Sequence, residues 1–233
     1  MKLKSLFVVP LIAMGLSFGV QAQANQCGEA GVSLDHVIWA VPDLEEYVAR
    51  FEEITSIKPE YGGKHTNGLT ENYLVSLGEC TYLEILGPQK GVTPEQLGSI
   101  ASRFTREHIV GFAFGADLEN PPQSLSSVRL GDRNSGGRNK PDGTALSWVT
   151  QPLPDFDFGP DRFQFVIKWT SEPHPAATSP KGAEIAQLTI ANPQVTGLQE
   201  LVESNRLPIV LQPSGVPNMW LTIRTPRGSV ILR

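Results

Sequence analysis

Between Asp35 and Val41, the side chains of His36, Ile38 and Ala40 fall on one side of an extended chain, and those of Val37, Trp39 and Val41 fall on the other. That period of two predicts a strand. The period then changes: Leu44, Tyr47, Val48 and Phe51 recur at helical spacing behind Asp43, which suits an N-cap with Glu46 three residues on to complete a capping box. An extended Ile57–Tyr61 follows, then a Gly62-Gly63 break, then strands at Asn72–Leu77 and Thr81–Leu86 separated by a Gly78-Glu79 turn. Residues 33–88 therefore predict strand, helix and three strands. In the last strand Tyr82, Glu84 and Leu86 share a face, so Glu84 interrupts an apolar run. A carboxylate there is costly unless it is paired or bound to a cation.

The later pattern repeats this order. Thr93-Pro94-Glu95-Gln96 begins a helix over 92–106, with Leu97, Ile100, Ala101 and Phe104 at helical spacing, and this segment links the repeats. Glu107-His108 through Asp117-Leu118 repeats Asp35-His36 through Asp43-Leu44 with a small insertion. A short helix at Gln123–Arg129, a Gly/Asn/Pro-rich loop from Gly131 to Gly143, and strands at Thr144–Thr150 and Phe163–Trp169 follow. After a proline-marked loop come a strand at Glu184–Ala191, a helix at Gly197–Asn205 with Thr196 and Gln199 as a capping box, and strands at Leu207–Gln212, Met219–Thr225 and Ser229–Leu232. Residues 183–233 thus read as a third βαβββ-like unit packed on the first two.

The stretches LDHVIWAVPDL, GGKHTNGLTENYLVSLG and TYLEILGP resemble the glyoxalase-like branch of the vicinal oxygen chelate superfamily. The resemblance implies an α+β fold in which repeated βαβββ modules, here 33–169, form a cupped mixed sheet. It also implies a divalent metal, with zinc, manganese, iron, nickel and cobalt not distinguished, held by a first-strand His and a fourth-strand Glu. His36 and Glu84 stand at those positions, and through the repeat His108 becomes the third ligand. The strand Phe163–Trp169 offers Lys168 or a neighbour where a second carboxylate would complete four ligands, and a protonated lysine cannot ligate. Three protein ligands leave positions for water or substrate. Lys168 would then pair with an anionic substrate or lie outside the cup. Asn72, in the Thr70-Glu71-Asn72 element, is the other expected substrate contact, and His65 or Glu84 is the expected base.

Each residue also has a structural reading. His36 and Glu84 can be a buried pair without metal, His108 a core histidine, His65 a solvent-facing loop residue, His174 a turn residue, and Trp39 and Trp169 core aromatics. The implied function is an exported, metal-dependent enzyme performing isomerase- or lyase-type chemistry on a small oxygenated metabolite. Two alternatives stay open on the same fold: a metal-free protein that binds or sequesters a small ligand, and a ring-opening dioxygenase-like enzyme.

The first 24 residues change the picture of where this happens. Lys2 and Lys4, the apolar run Leu6–Val20 and the small residues around Ala22 and Ala24 read as a secretory signal peptide, giving a periplasmic or secreted product with no membrane anchor after its removal. In an oxidising compartment Cys27 and Cys80 are permitted to pair, although the sequence does not say whether they meet. They lack CxxC spacing, which makes them poor metal ligands. The formal charge of −5 becomes −7 once the two lysines leave 17 basic residues against 24 acidic. Such a balance argues against nucleic acid or anionic membrane as the partner and leaves a small molecule, with a homodimer allowed.

Overall fold

The computed structural model describes residues 27–28, 31–156, 158–159 and 161–233. The expected signal segment lies outside them. Among the described residues no helix is long and apolar enough to cross a membrane.

The alternating stretch at the start forms strand β1, Ser33–Ala40. Helix α1, Leu44–Thr55, follows, and the Asp43 side chain accepts a hydrogen bond from the Glu46 N–H at 3.0 Å. Strands β2 (Glu60–His65), β3 (Thr70–Ser76) and β4 (Tyr82–Pro88) complete the first half. The second half comprises β5 (His108–Gly115), β6 (Asn134–Asn139), β7 (Ala145–Pro152) and β8 (Phe163–Trp169). Together they close a barrel in the order β1-β4-β3-β2-β6-β7-β8-β5. Each half has the same internal order, with its first and fourth strands parallel, and the halves join where β1 runs antiparallel to β5 and β2 to β6. This is the cupped α+β arrangement that the repeat implies.

Alternation in the strands gives the barrel two apolar faces. Val37, Trp39, Phe112 and Phe114 point outward into a large core shared with Tyr47 and Phe51 of α1 and with the C-terminal residues. Ile38, Ala40, Leu86 and Val110 point inward and pack against Leu97 and Phe104 of the linker. The linker itself is a short helix, Pro94–Leu97, followed by a 3-10 segment, Gly98–Phe104. Gly98 at φ +56° breaks the continuous helix that the spacing predicts.

Two differences from the sequence pattern bear on the site. The chain does not break at Gly62-Gly63: β2 continues through an irregularity between Tyr61 and Gly63 and ends at His65. The segment expected as a loop from Gly131 to Gly143 contains β6, whose pairing with both β2 and β7 closes the barrel. Gly136 is required there because a Cβ would lie 2.3 Å from the Trp148 indole nitrogen. Pairing on both edges and aromatic packing override a composition that otherwise disfavours strand.

The C-terminal residues have the expected element order but their own strand order. Strands β9 (Glu184–Asn192), β10 (Ile209–Pro213), β11 (Asn218–Thr225) and β12 (Gly228–Leu232) form a separate sheet, β10-β9-β11-β12. The crossover through Val195–Ser204 puts β10 parallel and adjacent to β9, whereas in the barrel the parallel partner of the first strand is the fourth. Leu188, Ile190, Leu221 and Ile223 join the outer core. Cys27 and Cys80 form a disulfide, which ties the chain ahead of β1 to the turn before β4.

Where β5 meets β8, Gly111 pairs with Phe163, and a Cβ at Gly111 would lie 2.1 Å from the Phe163 carbonyl oxygen. That neighbour is backbone and cannot swing away. Gly111→Ala is expected to destabilise the protein by about 1–3 kcal/mol, while Gly78→Ala, at a position with nothing within 4 Å, changes stability by less than about 0.5 kcal/mol. Urea unfolding midpoints of the two variants check this.

Candidate functional site

The inward face of the barrel encloses a cavity of about 260 Å³. Its polar side is built on β1 to β4. His36 is brought there by a bulge: Leu34 pairs with Phe114 and His36 with Ala113, so Asp35 is an extra residue in β1. Bulges re-aim side chains. Here the bulge lets two adjacent residues meet, with His36 Nδ1 2.6 Å from Asp35 Oδ1. Gly115 across the ladder leaves the space, since a Cβ there would lie 3.2 Å from Asp35 Oδ2.

Asp35 has no solvent exposure, and it accepts two further hydrogen bonds at Oδ2, from Trp169 Nε1 at 3.1 Å and His174 Nε2 at 3.0 Å. His174 Nδ1 accepts from the Ala176 N–H, which fixes the proton of that ring on Nε2. Burial alone would raise the Asp35 pKa, but the hydrogen bonds from His174 and His36 outweigh it and hold the carboxyl at about 2. An ionised Asp35 holds the His36 proton on Nδ1, leaving the Nε2 lone pair toward the cavity. The His36 ring is stacked on Tyr82 at 4.7 Å.

Glu84 faces His36 from the parallel neighbour β4, with Oε2 3.7 Å from His36 Nε2. Its Oε1 accepts from Asn72 Nδ2 at 2.6 Å and lies 3.5 Å from His65 Nε2. The irregularity in β2 carries His65 into the cup, and its Nδ1 is 2.8 Å from Thr70 Oγ1. Burial lowers the His65 pKa more than the nearby Glu84 raises it, so this ring is neutral at pH 7. Two imidazole nitrogens thus converge on one carboxylate. Arg138 on β6 lines the same cavity and donates to the Gly62 carbonyl. The remaining wall is mostly apolar and aromatic, from Ile38, Leu86, Phe163, Phe165, Trp148 and Trp169, with Arg103 at its edge.

The structure therefore brings together His36, His65, Asn72 and Glu84 of the expected residues and separates two others. His108 pairs with Ala40, at the far end of the β1–β5 ladder from the His36–Ala113 pair, roughly 13 Å along the strand. Its Nδ1 bonds the Arg106 carbonyl at 3.1 Å, and it does not line the cavity. Antiparallel pairing sends matching positions of the two repeats to opposite ends, which is why the repeat misplaces this ligand. Lys168 lies on the outward face of β8, where its Nζ pairs with Asp117 at 2.5 Å and Glu119 at 3.6 Å. The inward residues of that strand are Phe163, Phe165, Ile167 and Trp169. His174 is not merely a turn residue, since it buttresses Asp35.

The fold implies a divalent metal, and the expected set of His36, Glu84 and His108 is not assembled. His36, His65 and Glu84 are suitable donor types, and the Asn72 hydrogen bond to Glu84 Oε1 leaves Oε2 facing His36. Among the described residues no group of three or more His, Cys, Asp or Glu side chains is spaced to hold an ion. As placed, the expected set does not make a metal centre.

Comparison with known proteins accords with this architecture. A family model described as Glyoxalase-like domain matches residues 34–204. A hypothetical protein from Staphylococcus aureus is similar in structure over 80% of this chain and 88% of its own, with TM-score 0.60 and 15% identity. Methylmalonyl-CoA epimerase from Mycobacterium tuberculosis matches 63% of this chain and 92% of its own, with TM-score 0.42 and 18% identity. A mutant 4-hydroxymandelate synthase from Streptomyces coelicolor matches 76% of this chain and 56% of its own, with TM-score 0.42 and 14% identity. No curated protein matches by sequence.

The buried Asp35 links the site to stability. Its folded pKa of about 2 lies below the ordinary 3.8, so its contribution is present in full above about pH 4 and is lost as pH falls toward 2, a difference of about 2 kcal/mol. Asp35→Asn is expected to flatten that limb of the stability profile between pH 5 and pH 2. Denaturant unfolding of both proteins across that range measures it.

Proposed function

Because the chain belongs to the glyoxalase-like domain family, we propose that its cup is the active site of an enzyme that moves a proton on a small oxygenated metabolite. The reaction is of isomerase or lyase type. One observation carries the reading: His36 Nε2, its ring fixed by an ionised and fully buried Asp35, opens onto the cavity of the cup beside the buried Glu84. A general base needs that combination of fixed orientation, a free lone pair and exclusion from bulk water.

The steps follow from the side chains. A substrate with a C–H bond next to a carbonyl enters the cavity with that carbon against His36. His36 Nε2 takes the proton, and the imidazolium so formed lies between the carboxylates of Asp35 and Glu84, which favour its charge. The developing enolate oxygen is favoured by the positive Arg138 guanidinium in the same cavity. Asn72 holds Glu84 through Oε1, and the neutral His65 is placed to return or relay a proton. Return to the opposite face gives isomerisation, and loss of a neighbouring group gives elimination.

We place this reaction outside the cytoplasm. The segment at residues 1–24 reads as an export signal, and the disulfide supports an oxidising compartment. Its partner is a small molecule.

His36→Ala and Glu84→Gln are each expected to lower catalysed hydrogen–deuterium exchange of an acidic substrate C–H by about 10²–10⁴-fold, whereas His108→Ala leaves it unchanged. Proton NMR of the exchanging signal in D2O measures all three. Metal analysis of the purified proteins addresses the ion that the fold implies. The donor spacing predicts no stoichiometric divalent ion, and an ion present in the wild type and lost from both His36→Ala and Glu84→Gln would replace unaided acid–base chemistry with the metal-dependent form.

A further inference from the structure

The cavity contains a cation for which the reaction above has no use. Arg103, on the 3-10 segment Gly98–Phe104, lines the cup, and its Nε is buried without a hydrogen-bond partner among the described residues. A buried N–H left unpaired costs about 1–3 kcal/mol, so its retention calls for an acceptor supplied from outside. The guanidinium lies over the Phe163 ring at 4.4 Å, a cation–π contact that favours this placement. Burial lowers the Arg103 pKa, and the charge of Asp161 acts in the opposite direction. The side chain remains a cation at any physiological pH.

The wall between Arg103 and the acid–base pair is continuous. Phe163 stacks on Phe165 with centroids 5.8 Å apart and planes 7° apart, and Phe165 meets the His36 ring edge-on at 5.6 Å. A ligand that touches both ends of this wall must therefore pass two phenyl rings. Its middle must be apolar and flat enough to lie along them.

We propose that Arg103 is the anchor for a substrate carboxylate, and that the substrate is an amphipathic acid. Its carboxylate lies on Arg103, an aromatic or similarly apolar body lies along Phe163 and Phe165, and its carbonyl-bearing carbon reaches His36. This assignment rests on the proton-transfer reading for the far end of the ligand and adds the recognition of the near end. A guanidinium and a carboxylate make paired, charge-assisted hydrogen bonds that a neutral ester cannot match.

The probe is 4-acetylbenzoate, with methyl 4-acetylbenzoate as its neutral counterpart, titrated calorimetrically into the full protein. The acid is expected to bind about tenfold or more tightly than the ester. Arg103→Met should remove that preference by weakening the acid alone, and Arg103→Lys should restore only part of it. Equal binding of acid and ester by the wild type, which needs no variant to fold, overturns the proposal. So does an acid affinity unchanged in Arg103→Met, or no binding of the acid at 10 mM, a concentration of about weak-fragment strength. Deuterium exchange of the acetyl methyl, followed by proton NMR, separates the two readings. Arg103-dependent binding without catalysed exchange keeps the carboxylate anchor and removes the proton-transfer reading. Exchange that is equally fast for acid and ester, and unaffected by Arg103→Met, does the reverse.

Discussion

The buried carboxylate of Asp35 is the constraint on which the site depends. Three donors, the neighbouring His36 and the distant Trp169 and His174, converge on its two oxygens. A carboxylate with no solvent exposure is tolerated only when it is satisfied in this way. Each donor is consequently held in place as firmly as Asp35 itself. The bulge in β1 and the missing side chain at Gly115 make the room, and the result is a histidine whose outward nitrogen has one direction to face.

The same β1 strand divides the protein into a supporting side and a working side. Outward residues tie it to α1 and to the C-terminal sheet in one continuous core. Inward residues line a cavity that is polar at the β1–β4 end and aromatic along β8. Glu84 stands in an apolar strand at 6% exposure because Asn72 and the two imidazoles surround it. The C-terminal sheet contributes no residue to the cavity lining, and its place is behind the site rather than in it.

Much of this was legible in the chain. Strict alternation marked β1 and β4, the change of period marked α1, and a charge inside an apolar strand marked Glu84. What stayed hidden depends on contacts between distant segments. The β6 strand reads as a loop because Gly136 and Gly137 carry no side-chain pattern, and only pairing with β2 and β7 makes it a strand. His65 reads as a loop residue because a two-glycine irregularity inside β2 looks like a break. Asp35 and His174 are 139 residues apart, and no local spacing joins them. His108 shows the opposite error: the repeat is real in the strand order, yet antiparallel pairing places its histidine away from the first. In the C-terminal unit the pattern gave the elements but not their neighbours, since strand order is a property of the crossover rather than of the period.

Asp35 fixes the proton of His36 on Nδ1 and leaves Nε2 free toward Glu84. Long-range nitrogen–proton NMR of the histidine rings at neutral pH reads this directly. An Nδ1–H tautomer is expected for His36 beside an Nε2–H tautomer for His174, with the His36 pattern lost in Asp35→Asn. A His36 ring carrying its proton on Nε2, or one indifferent to the loss of the Asp35 charge, contradicts it.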